Sequence, residues 1–141
     1  MSILQVKNVT KSFENEEIIR DISLELNEGE IVSLLGVSGG GKTTLFNVIA
    51  GLSVPDKGDV YLGDEKITGK PGQISYMLQK DLLLPYRTIV DNVALPLIIR
   101  GMDKKQARAK AAAHFEEFGL EGTEAKYPSQ LSGGMRQRAA L

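Results

Sequence analysis

The spacing of hydrophobic residues changes along the chain, and each change predicts an element. Residues 3–13 read as a strand of mixed character that ends at Phe13, before the polar turn Glu14, Asn15, Glu16 and Glu17. Ile22, Leu24 and Leu26 then alternate with Ser23, Glu25 and Asn27, the period of a strand with one buried face. After a turn at Asn27, Glu28 and Gly29, residues 31–35 are nearly continuous in apolar side chains, which predicts a parallel strand covered on both faces. Leu45, Phe46, Val48, Ile49 and Leu52 fall at three- and four-residue spacings, the stripe of a helix that weakens at Gly51. Residues 54–58 make a turn in which Pro55 presets φ and Gly58 permits the reversal. Val60, Leu62 and Ile67 belong to further strands broken at Gly63 and Asp64, and Ile74, Tyr76 and Leu78 alternate as a short strand ending at Gln79.

From there the period is helical. Thr88 with Asp91 three residues on has the form of a capping box, and it opens a helix that runs to about Arg100, kinked or interrupted at Pro96. Asp103 with Gln106 repeats the pattern. Ala107, Ala111, Phe115 and Phe118 then make one apolar stripe, closed by Gly119 and Leu120 in the order of a glycine C-cap. Ser132 has the place of an N-cap for a last helix. Composition changes little in this picture. With 42% hydrophobic and 25% charged residues and a net charge of −1, the chain is ordinary for a globular domain and has no general pull towards nucleic acid or anionic lipid. The absence of cysteine excludes disulfides and thiolate metal sites. The N-terminus lacks the pattern of a secretory signal, and no apolar run approaches the roughly 20 residues of a membrane helix. Any work at a membrane is expected from outside the bilayer.

The stretch that carries chemistry lies between the apolar run at 31–35 and the helix that follows. Gly36, Val37, Ser38, Gly39, Gly40, Gly41, Lys42 and Thr43 fit the pattern G-x-x-x-x-G-K-[ST] in its required setting, strand before and helix after. Four glycines within six positions let backbone N–H groups turn inward around an anion. The helix then presents unpartnered N–H groups and the positive end of its dipole. Lys42 is expected to reach the β- and γ-phosphates of a nucleoside triphosphate, and the Thr43 hydroxyl to take one Mg²⁺ position. Thr44 completes the set. The lone histidine, His114, falls in a helix away from this stretch and reads as a surface or partly packed imidazole.

A second motif narrows the class. Leu131, Ser132, Gly133, Gly134, Met135, Arg136, Gln137 and Arg138 resemble the signature sequence of ATP-binding-cassette (ABC) ATPases, and they follow the glycine loop, Gln79 and a helical segment in that family's order. A serine-capped helix start with two glycines offers N–H groups and a hydroxyl to an anion. The resemblance implies that Ser132, Gly133 and Gly134 cap the γ-phosphate of ATP held on a second cassette. It places Phe13 where an aromatic ring stacks on adenine, a position more often tyrosine, and Gln79 where an amide reaches Mg²⁺ or the attacking water. Taken alone, without the resemblance, Phe13 reads rather as a core residue than as a base platform. Residues 81–87 carry more apolar bulk than a solvent loop, and two readings stand: a groove for a membrane subunit's coupling helix, or packing within the helical portion. Residues 76–92 look most like the cassettes of the nitrate, sulfonate and taurine import group.

The implied fold is α/β: an incomplete P-loop NTPase core of an ABC ATPase with an N-terminal antiparallel β portion and a helical subdomain. Residues 1–141 form one partial ATP-binding domain, with 1–30 and 58–68 β-rich, 31–57 and 73–79 the P-loop core, and 88–141 the helical subdomain ending in the signature. The implied function is the ATP-binding subunit of an importer, using ATP and Mg²⁺. It would pair with a second cassette, identical or not, and dock on integral membrane permease subunits at the inner face of the cell membrane, served indirectly by an extracytoplasmic solute-binding protein. Nucleic acid is not an expected partner. No acid here follows four aliphatic residues, so the Walker B aspartate and the catalytic base of the family are missing, no catalytic residue is assigned, and the chain alone is expected to be hydrolysis-deficient. Loss of the Walker B strand is expected to leave residues 31–35 with unpaired edges and exposed apolar faces. Two alternatives stand: a non-hydrolysing nucleotide-binding fragment, and a cassette ATPase of DNA repair or translation.

Overall fold

The computed structural model describes residues 2–141, which divide into two compact units, one ending at Tyr76 and the other spanning Met77–Leu141. In the first, β1 (Ser2–Phe13) and β2 (Glu16–Asn27) form an antiparallel hairpin in which Phe13 faces Glu16 across the end of the ladder. The turn is thus shorter than the polar tetrad suggests: only Glu14 (φ 47°) and Asn15 (φ 69°) lie in it, both left-handed, as a tight two-residue hairpin requires. β3 (Lys57–Leu62) pairs with the other edge of β1 and β4 (Glu65–Lys66) with β3, giving the antiparallel order β2-β1-β3-β4. Val6 faces Leu24 on one side and Val60 on the other, which sets the buried face of the sheet.

Helix α1 (Lys42–Ile49) covers that face. Leu45, Val48 and Ile49 pack with Val6, Val9, Ile19, Val60 and Ile67 in one buried cluster, whereas Phe46 and Leu52, which share the helical spacing, lie exposed. The helix ends in a left-handed Gly51 (φ 74°), with Gly51 N–H donating to Val48 and Leu52 N–H to Asn47, the paired bonds of a glycine C-cap. Gly58 does a different job from the expected one. It lies inside β3, and a Cβ there would collide with the carbonyl oxygens of Lys7 and Asn8, so the glycine is what lets β3 close on β1.

Two sequence-predicted strands do not form. Residues 31–35 join no ladder, and Ile31 is 92% and Leu35 90% exposed. A continuous apolar run specifies a buried parallel strand only where neighbours supply hydrogen bonds and cover, and no described segment pairs with this one. The exposed apolar faces expected for this run are what the structure shows. Residues 73–79 likewise make no ladder: Ile74 packs against the sheet core and the Tyr76 ring stacks on Phe46 at 6.2 Å, while Leu78 stays exposed.

The second unit is helical: α2 (Ile89–Ile99), α3 (Lys104–Ala112), a 3-10 turn over Pro128–Gln130, and α4 (Gly133–Ala140). Thr88 and Asp103 cap α2 and α3 through their side chains, and α2 continues through Pro96. Ala94, Ala107 and Ala111 are buried where α2 meets α3, small residues that let the axes approach. The stripe through Phe115 is buried as expected, but α3 ends at Ala112. His114 and Phe115 bond back three residues instead of four, and the tightened turns close at Gly119 (φ 62°) with Leu120 N–H on the Phe115 carbonyl. Ile89, Phe115, Leu120, Leu131 and Ala139 form the core of this unit. Among the described residues no helix is long and apolar enough to cross a membrane.

Candidate phosphate-binding site

The glycine loop leads straight into α1. A turn is closed by Gly40 N–H on the Val37 carbonyl at 3.1 Å, Gly39 and Gly41 both take φ 80°, and Gly41 is the helix N-cap. Only glycine fits at 41. A Cβ there would lie 2.9 Å from the Ile18 carbonyl oxygen and 2.5 Å from a methyl of Ile19, so β2 walls the loop from behind. Leu45 N–H is the first to bond back into the helix, to Gly41 at 2.9 Å, which leaves the N–H groups of Lys42, Thr43 and Thr44 pointing out of its start. The end has no side-chain cap and no acidic residue in its first turn. Its positive potential is therefore not neutralised from within, the condition an anion site requires.

Lys42 folds back over this loop. Its ammonium donates to the carbonyls of Gly36 at 2.7 Å and Val37 at 2.6 Å, so the cation and the first-turn N–H groups belong to one short segment. An ammonium on a flexible stem can exchange two loop carbonyls for phosphate oxygens, a charge-assisted partner of greater strength. Thr43 is exposed in the first turn, and Ser38, Gly39 and Gly40 line the exposed loop. Among the described residues no three His, Cys, Asp or Glu side chains gather as a metal site. Phe13 closes β1 in the same unit, 49% exposed, with Lys11 Nζ 5.2 Å from its ring centroid.

The remaining predicted residues stand in the second unit. Ser132 caps α4 by accepting the Met135 N–H at 3.3 Å, and Gly133 and Gly134 occupy the exposed first turn. Neither glycine has a positive φ, and a Cβ on either would meet nothing closer than arginine tips, 3.9 Å at Gly133 and 3.7 Å at Gly134. The local fold therefore does not need glycine there, although two glycines weaken a helix start. A surface left bare of Cβ atoms at an N–H-rich helix end suits close approach of something from outside the unit. Gln79 is exposed, and its carbonyl accepts a long bond from Gln137 of α4 at 3.4 Å.

Sequence reasoning missed two supports in this unit. Arg136 spans from the Leu131 carbonyl, at 2.8 Å, to Asp81 Oδ2, at 3.1 Å, and so ties the start of α4 to the segment after Gln79. Asn92 is buried in α2 and holds the loop before it, accepting from Leu84 N–H at 2.7 Å and donating to the carbonyls of Leu84, Arg87 and Thr88. The first joins residues 55 positions apart, which no periodicity reveals, whereas the second has a local hint in an asparagine one turn into a capped apolar helix.

Residues 19–141 match the family model described as ABC transporter. The chain is 51% identical over 124 residues to the formylaminopyrimidine import ATP-binding protein ThiZ of Halalkalibacterium halodurans, covering 88% of this chain and 47% of that protein. It is 44% identical over 145 residues to the uncharacterized ABC transporter ATP-binding protein YtlC of Bacillus subtilis, covering 100% of this chain and 56% of that one. The chain thus spans about half the length of the curated relatives it matches. Among solved structures it superposes on the dimeric post-hydrolysis state of the ATP-binding cassette MJ0796 bound to ADP and Pi, with TM-score 0.81, 34% identity and 97% of this chain covering 66% of that one. A second dimeric structure of MJ0796, a bacterial ABC transporter cassette, gives TM-score 0.82 at 33% identity, with 98% and 67% of the two chains covered.

Proposed function

Because the chain belongs to the ABC transporter family of ATP-binding domains and has the α/β fold of its cassettes, we propose that it is the nucleotide-binding part of an ABC importer's ATP-binding subunit. The observation that carries the reading is the Lys42 ammonium lying on the Gly36 and Val37 carbonyls beside an α1 start that no acid neutralises. MgATP would replace those carbonyls. N–H groups of Gly39, Gly40, Gly41, Lys42, Thr43 and Thr44 would cradle the phosphates, Lys42 would meet the β- and γ-phosphates, Ser38 would line the loop, and Phe13 would take the base. The Thr43 hydroxyl would hold a Mg²⁺ that neutralises phosphate charge, and the family resemblance assigns the Gln79 amide to the same ion. No carboxylate in this sequence has the placement of a metal-holding acid or a base, so the chain alone binds nucleotide and turns it over poorly or not at all.

Ser132, Gly133 and Gly134 cap the γ-phosphate of a second cassette, which makes each site composite and ATP the glue between two chains. The bare glycine surface of α4 supports this, as does the dimeric state named for MJ0796. We assign residues 1–30 and 58–68 to the β-rich portion, 31–57 and 73–79 to the phosphate-binding core, and 88–141 to the helical subdomain. The pair works at the inner face of the membrane against permease subunits, fed by a solute-binding protein. Similarity over residues 76–92 favours the nitrate, sulfonate and taurine import group. Relatives that import formylaminopyrimidine, spermidine and putrescine, or sulfate and thiosulfate all share the cassette, so the solute is chosen elsewhere in the assembly.

The composite site is tested by mixing two variants. Lys42→Ala and Gly134→Asp are each expected to lose MgATP-driven association in sedimentation, the first for want of phosphate binding and the second because a carboxylate meets the γ-phosphate. Mixed together they retain one intact composite site and should associate with each other. Two variants that stay monomeric when mixed, beside an unsubstituted chain that dimerises, would show that α4 does not reach a neighbour's nucleotide.

A further inference from the structure

Behind Phe13 lies a set of contacts that the phosphate site does not use. Asp56 belongs to the turn between α1 and β3, yet its bonds run to the end of β1. Its backbone N–H donates to the Thr10 carbonyl at 2.8 Å, its Oδ2 accepts the Ser12 N–H at 2.6 Å, and its Oδ1 pairs with Lys11 Nζ at 3.3 Å. The Lys11 side chain is in consequence only 17% exposed, and its ammonium stands over the Phe13 ring at 5.2 Å from the centroid. Ser12 is the residue next to Phe13, so one carboxylate fixes both the backbone that carries the ring and the cation on its face.

This arrangement is dear as a means of holding a hairpin together. Ordering a lysine side chain sacrifices much of its rotamer freedom, and an aromatic ring at 49% exposure leaves a large part of its apolar surface in water. A ring whose direction is set, with an ammonium on one face, suits a flat π-system arriving on the other. The Ser12 N–H first, and Lys11 after it, hold the Asp56 carboxyl below the usual aspartate value, so it stays ionised throughout the neutral range.

We propose that Asp56 and Lys11 are positioning residues for the nucleobase: Asp56 locks Lys11 and the backbone at Ser12, Lys11 occupies one face of Phe13, and the base stacks on the other. The proposal rests on reading residues 36–44 as the phosphate cradle, and it goes beyond that reading by naming what orients the base. It predicts an effect confined to ligands that have a base.

The experiment compares MgATP with magnesium tripolyphosphate, which shares the phosphates and lacks the base, by titration calorimetry on the whole chain. Asp56→Ala should weaken MgATP roughly tenfold and leave tripolyphosphate within about twofold, the scale of one lost base–aromatic stack. Lys11→Met should show the same selectivity with a smaller loss. Asp56→Asn, which keeps an acceptor for Ser12 N–H and discards the charge, guards against misfolding and should lie between Asp56→Ala and the unsubstituted chain. Combined with Phe13→Ala, Asp56→Ala should add nothing further, because the platform it aims is gone. Variants at 56 and 11 that bind MgATP as the unsubstituted chain does, or that lose both ligands equally, overturn the proposal while the phosphate cradle stands. An unsubstituted chain that binds neither ligand, or a Lys42→Ala chain that binds both unchanged, overturns the cradle and the proposal with it.

Discussion

At Gly41 the backbone holds φ 80° and a Cβ would press on the Ile18 carbonyl and the Ile19 methyl, so the same residue that opens α1 to an anion also seats the loop on β2. Gly41→Ala should cost about 1–3 kcal/mol in a denaturant titration, from left-handed strain and the clash together, and should weaken triphosphate binding as the loop lifts from β2. Gly133 makes the opposite prediction. Its φ is ordinary and the space around it is open, so Gly133→Ala should raise stability by a few tenths to about 1 kcal/mol while weakening ATP-driven association. A variant at 133 that is both less stable and fully able to associate would mean that this glycine serves the fold. From sequence alone the two positions are indistinguishable: each is a glycine at a helix start within a motif. What separates them is a neighbour's carbonyl at Ile18, distant along the chain and invisible to a pattern of spacing.

Among the elements, the helices of the second unit were the most legible, because their signals are local. Thr88, Asp103 and Ser132 each cap the helix expected of them, since the cap bond joins residues two or three apart and the sequence contains both partners. The extent of α3 was not legible: the stripe continues to Phe118, yet the turns tighten after Ala112 so that Phe115 and Leu120 can meet at the Gly119 cap. Gly119→Ala should lower stability by about 1 kcal/mol, the expense of a left-handed alanine, with the nearest side chain at 3.9 Å adding no clash. The α2–α3 pair also carries a pH signature. Arg108 grips Asp91 with two hydrogen bonds of 2.6 Å and, with the Thr88 hydroxyl, lowers the carboxyl from 3.8 to about 2. A depressed carboxylate stabilises the fold fully above its unfolded value, and the contribution is lost as pH falls from about 4 towards about 2. Half-exposed Arg108 and solvent screening keep its size small. Urea midpoints should therefore drop across that window, and Arg108→Ala should flatten the drop; an unchanged slope in the variant would show that other carboxylates govern acid sensitivity.

Taken whole, the chain shows where a sequence pattern needs partners to become structure. The hairpin and β3 form because each strand finds its neighbour within the described residues, whereas 31–35 has an apolar run as strong as any and forms no ladder. Ile31, Leu35 and Val37 are 92%, 90% and 79% exposed, so backbone amides over 31–37 should exchange at near unprotected rates while those of Leu45, Val48 and Ile49 stay protected. Protection across 31–37 in the isolated chain would mean that the run has found a strand partner, intermolecular if the signal rises with concentration. The contacts that brace the candidate sites, Asp56 to Ser12 and Arg136 to Asp81, join residues 44 and 55 positions apart and had no local trace, while the glycine loop and the signature were plain because their chemistry is written in consecutive residues. All of this converges on one titration: MgATP against the unsubstituted chain and against Lys42→Ala. Saturable binding at one site per chain, weakened at least tenfold or so by the loss of the ammonium, is the expected result. Equal binding by both proteins, or none by either, would contradict the reading of residues 36–44 as a nucleotide site.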